Sequence, residues 1–139
     1  ENYIMTRINI IPVEELFDQH LIAEYREITM VPAALKRTLA SKVGLNFSKI
    51  NKKYTLNQGH VYFFYDKGKY LDKRYKQLVS EMKNRGFNPD SKRKFPKTIF
   101  IENNLYKDWQ PSIEDFKVIR TRIESKIKEK PYWYRKTKL

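Results

Sequence analysis

His20, Glu24 and Glu27 stand at i, i+4 and i+7 within IPVEELFDQHLIAEYREI, residues 11–28. An imidazole and two carboxylates move protons or stabilise a cation near neutral pH, so their geometry matters. Pro12 near the first turn and the acidic pair Glu14 and Glu15 at the positive end of the dipole predict a helix over about 13–28. At about 100° per residue, Val13, Leu16, Phe17, Leu21 and Ile28 share one broad arc. His20, Glu24 and Glu27 fall inside it, whereas Arg26 projects away. Polar groups at core-facing angles need a reason, and three are open. The cluster is a hydrogen-bonded one, with His20 against Glu24 and the glutamates paired with arginines from elsewhere; the helix taken alone favours this. Alternatively, burial and a second carboxylate raise a glutamate's pKa and make a base or cation stabiliser. Metal binding by the trio is the least supported, because no further His or Asp cluster supplies the remaining ligands.

The elements that must position these groups read as helices. MVPAALKRTLASKV continues or restarts the first helix after a break at Val31-Pro32. It offers Lys36 and Arg37 to DNA or to solvent. Residues 44–59 read as a loop with Asn and Gly turns. A long helix starts between His60 and Gly68 and runs through Arg85, with Gly86 as C-terminal cap. Tyr70, Leu71, Tyr75 (or Arg74), Leu78 and Met82 form its apolar stripe, and the run YFFY at 62–65 reads as core rather than a base-stacking platform. Residues 88–111, with Pro89, Pro96 and Pro111, form a partly extended connection that must pack against something. The last helix has Ser112 as N-cap with Asp115 three residues on, and Phe116, Ile119, Ile123 and Ile127 as its seam. The expected fold is all-α, one compact domain of three main helices with long irregular connections.

A chain of 139 residues is one domain in size. The absence of cysteine removes disulfides, thiolate metal sites and thiol nucleophiles, and fits a reducing compartment such as the cytoplasm. No apolar run approaches the roughly 18 to 20 residues of a membrane span, and no basic-then-apolar leader opens the chain. The net charge of +13 is concentrated: residues 67–97 carry +8 and residues 113–139 carry +5. Clustered cations of this kind are the footprint of a phosphate-backbone binder, although a solvated basic face or an acidic partner would account for charge alone. The tail YWYRKTKL interleaves Tyr132, Trp133 and Tyr134 with Arg135, Lys136 and Lys138, a pattern that docks through its rings and touches phosphate or bases with the rest. No Gly-rich phosphate loop and no Ser-His-Asp arrangement competes.

MTRIN at 5–9, ELFDQHLIAEYRE at 15–27, GHVYFFYDK at 59–67, RGFN at 85–88, RTRIESKI at 120–127 and PYWYRK at 131–136 together resemble the pyrimidine-dimer DNA glycosylase and abasic-site lyase family, the phage endonuclease V type. The resemblance runs from Met5 almost to the C-terminus. It implies an enzyme that finds ultraviolet-induced cyclobutane dimers in double-stranded DNA, cuts the glycosidic bond of the 5′ base and nicks the strand by β-elimination, abasic sites being substrates as well. It also implies bent DNA, a flipped base opposite the lesion, no metal or other cofactor, and a monomer associated with DNA in the cytoplasm. In this family the nucleophile is the α-amino group of a threonine exposed by removal of the initiator methionine, which matches Thr6. The catalytic carboxylate matches Glu27. Phosphate-holding arginines match Arg7 and Arg26, the histidine near the site matches His20, and basic positions of the last helix match Arg122 and Lys126. Further DNA contacts are expected from Tyr25, Lys36, Arg37, Tyr134, Arg135 and Lys136.

Two positions depart from the pattern. Met30 stands where the phage prototype has a third arginine, so a nearby Lys or Arg is expected to take over that contact. Glu1 precedes Thr6, and with residues 1–5 in place the Thr6 nitrogen is an amide that cannot form an imine. Residues 1–5 are therefore expected to be an extension or tag remnant, with residues 6–139 the glycosylase domain. Two rival classes remain: a non-catalytic lesion binder, and a glycosylase shifted toward ring-opened or alkylated purines.

Overall fold

A computed structural model describes residues 7–138; the extension expected at residues 1–5 and the expected nucleophile, Thr6, lie outside the described residues. The described chain is all helical and forms a single domain, with the long helices α1 (Asp18–Glu27), α2 (Met30–Ala40), α4 (Gly68–Asn84) and α6 (Ile113–Glu129) and the short α3 (His60–Phe63) and α5 (Thr98–Glu102). No described helix is long and apolar enough to cross a membrane.

The helix expected over 13–28 divides. Val13–Glu15 form one 3₁₀ turn, Leu16 and Phe17 are extended, and α1 starts at Asp18. Tertiary partners supply the bonds that a continuous helix would have made: the Val13 carbonyl accepts from Arg85 Nη2 at 3.1 Å, and the Asp18 amide donates to the Arg135 carbonyl at 2.6 Å. The next break falls at Ile28–Thr29 rather than at Val31-Pro32. Pro32 lies in the first turn of α2, where an amide would have had no intrahelical partner, so proline costs little there.

α4 ends as its sequence predicts. Gly86 adopts φ 86°, its amide donates to the Lys83 carbonyl and the Phe87 amide donates to the Met82 carbonyl, a Schellman closure. Leu71, Tyr75, Leu78 and Met82 are buried along it, and Arg74 is buried beside them. Within YFFY, Phe63, Phe64 and Tyr65 are core.

The connection 88–111 contains α5, which its irregular pattern concealed. Phe100 anchors it, fully buried and stacked on Phe95. The same connection caps α4: the Gly68 amide donates to the Leu105 carbonyl, and the Lys69 and Tyr70 amides donate to the Lys107 carbonyl. Backbone carbonyls thus replace the absent side-chain cap. α6 carries the expected capping box, Ser112 Oγ accepting from the Asp115 amide and Asp115 Oδ2 from the Ser112 amide. Ile119 and Ile123 are buried, with Phe116 and Ile127 partly covered.

Candidate active site

A cleft of about 200 Å³ opens between the N-terminal segment, α1, α6 and the C-terminal tail, lined by Arg7, Asn9, His20, Glu24 and Glu27 on one side and Arg122, Lys126 and Tyr134 on the other. Seven of the candidate residues named from the sequence therefore meet: Arg7, His20, Glu24, Glu27, Arg122, Lys126 and Tyr134. They come from four chain segments, and the fold explains why each arrives.

α1 turns one face to the cleft and the core together. Glu24 is fully buried and points inward, where Arg74 Nε donates to its Oε2 at 2.7 Å and Arg74 Nη2 to its Oε1 at 3.1 Å. Its Oε1 also accepts from the Asn9 amide and side chain. The pairing of a glutamate with a distant arginine is thus real, but the partner of His20 is not Glu24. His20 Nδ1 is buried without a described hydrogen-bond partner, and the ring stacks on Tyr134, centroids 4.9 Å apart and planes 14° apart. Burial pulls the His20 pKa below its ordinary value, with the Glu24 charge acting against it. Among the described residues no group of three His, Asp or Glu side chains is arranged to hold a metal.

Glu27, one turn further along α1, is only partly buried and faces the cleft. Its carboxyl is held above the usual range chiefly by desolvation, with Glu24 adding to the rise and the Arg7 backbone and guanidinium opposing it. Arg7 in turn is lowered, first by its own burial and next by the like charge of Arg122. Two cations that repel each other across a cleft, with Lys126 beside them, mark a place that gains by admitting an anion.

The tail reaches the cleft because α1 holds it. Thr137 donates to the Asp18 carboxylate through its amide at 3.1 Å and through its hydroxyl, Gln19 Nε2 donates to the Trp133 carbonyl at 2.6 Å, and the Arg135 amide donates to Gln19 Oε1. Burial would raise the Asp18 pKa, but Thr137 and Arg85 together outweigh it and hold the carboxyl low. Trp133 and Tyr132 remain exposed.

Other residues named from the sequence lie elsewhere. Tyr25 is a core residue: its ring stacks on Tyr75 and its hydroxyl accepts from the Asp90 amide, so it is turned away from the cleft. Arg26 is exposed outside the lining. Lys36 and Arg37 are exposed on α2, Arg37 at a separate shallow hollow. Arg135 and Lys136 are exposed on the tail, Lys136 Nζ standing 5.4 Å from the centroid of the Phe17 ring. Asn9 and Ile123 line the cleft and were not singled out as site residues. Asn9 belongs to the MTRIN signature, but a single asparagine beside isoleucines gives no signal of its own.

A model of the family described as pyrimidine dimer DNA glycosylase matches residues 5–95. The chain belongs to that family, whose members act on DNA containing pyrimidine dimers. The match takes in the N-terminal segment and α1 with Glu27, whereas Arg122, Lys126 and Tyr134 lie beyond it and join the site through the fold.

Proposed function

We propose that the protein excises cyclobutane pyrimidine dimers through an imine on the Thr6 nitrogen and then nicks the strand, Met5 being the residue removed to expose that amine. The reading rests on one observation above others: a carboxylate with a raised pKa, Glu27, shares a cationic cleft with Arg7, the residue directly after Thr6. An α-amino group with pKa about 8 is roughly a tenth neutral at pH 7, whereas a lysine near 10.4 is neutral only a few times in ten thousand. The neutral amine attacks C1′ of the dimer's 5′ nucleotide, the glycosidic bond breaks and its electrons leave with the base, which takes up a proton. Ring opening gives a cationic imine that the Glu27 carboxylate stabilises. Loss of a 2′ proton to Glu27 or water then expels the 3′ phosphate by β-elimination, and hydrolysis returns the amine.

Arg7, Arg122 and Lys126 hold phosphates around the lesion in this reading, with Arg26 at its edge and His20 and Tyr134 forming a stacked wall. The contact that the family makes at the position of Met30 falls to Arg93. Its Nη2 donates to the Thr29 hydroxyl at 2.9 Å, beside Met30, and its guanidinium lies 4.4 Å from the Tyr25 ring centroid.

The test is borohydride trapping on a duplex with one cyclobutane thymine dimer, using chains that begin at Glu1 and at Thr6. The expected result is a covalent adduct mapped to the Thr6 nitrogen in the shorter chain alone. Binding without an adduct in either chain would leave a lesion-binding protein and remove the imine mechanism.

A further inference from the structure

Residues 7–11 have no regular secondary structure, yet Ile8, Asn9, Ile10 and Ile11 are all buried. Backbone groups buried outside a helix need other partners, and here side chains provide them. The Ile8 amide donates to His60 Nε2 at 2.8 Å, and the Ile8 carbonyl accepts from the Tyr54 hydroxyl at 2.6 Å. Further along, the Asn9 amide donates to Glu24, and the Ile11 carbonyl accepts from Arg74 Nη1 at 2.6 Å.

Between these anchors Ile10 adopts φ 51°, within a three-residue turn closed by the Ile11 amide on the Asn9 carbonyl at 2.5 Å. A β-branched residue in the left-handed region is strained and persists only where its surroundings over-determine it. Packing of three isoleucines would bury this segment without fixing its course. The side-chain bonds to both polar groups of Ile8 do fix it.

His60 is set up for this one task. Because Nε2 accepts from Ile8, the neutral ring carries its proton on Nδ1, which donates to the Thr55 carbonyl at 2.7 Å. The ring is buried, edge-on to Tyr54 and Phe64. Neither His60 nor Tyr54 lines the cleft.

We infer that His60 and Tyr54 are positioning residues for the imine step: by gripping the amide and carbonyl of Ile8 they fix the course of the segment that carries Arg7 into the cleft beside Glu27. The inference rests on the imine reading above. Attack by an amine requires the reacting atoms to be held within about 3 to 3.5 Å in the right orientation, and a chain end is the part of a protein least able to do this unaided. Arg7 alone separates the gripped residue from the proposed nucleophile, so an error in the course of Ile8 passes directly to that nitrogen.

The experiment compares Tyr54→Phe, His60→Leu and His60→Gln with the parent, all in the chain beginning at Thr6, on the single-dimer duplex. Dimer-DNA affinity and the single-turnover rate of the borohydride-trapped adduct are measured separately, with amide hydrogen exchange at Ile8 as the local readout. Tyr54→Phe and His60→Leu are expected to trap about ten- to a hundredfold more slowly, with affinity little changed and faster Ile8 exchange. His60→Gln, whose amide oxygen can accept from the Ile8 amide, recovers part of the rate. Trapping at the parent's rate despite faster Ile8 exchange overturns the inference, as does a rate that falls only in step with affinity and melting temperature. Tyr54→Phe loses a single oxygen and carries the test if His60→Leu fails to fold. A parent chain that forms no adduct removes the imine reading itself, and the inference with it; a parent that traps beside unaffected variants removes the inference alone.

Discussion

Arg74 on α4 and Glu24 on α1 form a two-pronged ion pair, Nε to Oε2 at 2.7 Å and Nη2 to Oε1 at 3.1 Å, in which both side chains are almost wholly buried. The remaining donor Nη1 goes to the Ile11 carbonyl, and Glu24 also accepts from Asn9. The pair therefore ties two helices and the N-terminal segment at one point. Removing one partner strands a charge in the core, which typically costs about 3 to 5 kcal/mol. Arg74→Met is expected to lower stability by that order, and Arg74→Met combined with Glu24→Leu to recover part of it. Urea unfolding of the three proteins checks this, and a single variant as stable as the parent would show that the pair is not what holds the segment.

Glu27 differs from Glu24 in having no arginine clamped across it. Glu27→Gln keeps the size of the side chain and removes its charge and basicity. Cleavage is expected to be lost while affinity for dimer-containing DNA stays largely intact, because in the proposed reading Arg7, Arg122 and Lys126 of the cleft, and not Glu27, hold the phosphates. A gel assay of nicking beside a binding titration separates the two effects. A variant that cuts normally would take Glu27 out of its assigned role.

The contrast between these glutamates marks how far the sequence could be read. Helix phase placed His20, Glu24 and Glu27 on a core-facing arc, and all three line the cleft. Phase could not assign the partner of Glu24, since Arg74 is fifty residues away and stood only as an alternative to Tyr75 on the stripe of α4. The caps written in local residue types, Ser112 with Asp115 and Gly86, were legible because their bonds close within a few residues. The split of the first helix at Leu16–Phe17 was not, because a side chain and a carbonyl distant in sequence stabilise it; nor was α5, whose anchor Phe100 packs against the distant Gly68. His60 and Tyr54 were hidden for the same reason: each acts on a backbone atom of Ile8, and backbone atoms leave no mark in a residue pattern.

His60 also makes a pH prediction. Its pKa is pushed down to about 4, first by burial, with Arg7 pulling the same way and the Thr55 carbonyl and Glu24 opposing. An unfolded histidine titrates near 6.5. Above that pH neither state binds the proton. As pH falls from 6.5 towards 4, the unfolded chain takes up a proton that folded His60 refuses, so stability is lost across this window, by roughly 3 kcal/mol in full. The margin of the parent over His60→Gln is therefore expected to shrink from pH 7 to pH 4, His20 and the carboxylates being common to both proteins. Urea midpoints at several pH values test it; parallel curves would mean that His60 is not held neutral.

Arg122 and Lys126 stand one turn apart on α6 and face the same cleft, with the Arg122 charge felt by Arg7. If they meet phosphates, each releases counterions on binding and contributes about 0.9 to the slope of log affinity against log salt concentration. Arg122→Ala and Lys126→Ala are each expected to weaken binding to damaged and undamaged duplexes alike and to reduce that slope by about one. Arg120, on the same helix, donates to the Glu15 carboxylate through Nη2 at 2.9 Å. Arg120→Ala is therefore expected to leave the slope closer to that of the parent, since its charge is already answered within the protein. Titrations at a series of salt concentrations distinguish the three. Equal slopes for all three variants would mean that charge alone, and not position on the cleft, decides which cations meet the DNA.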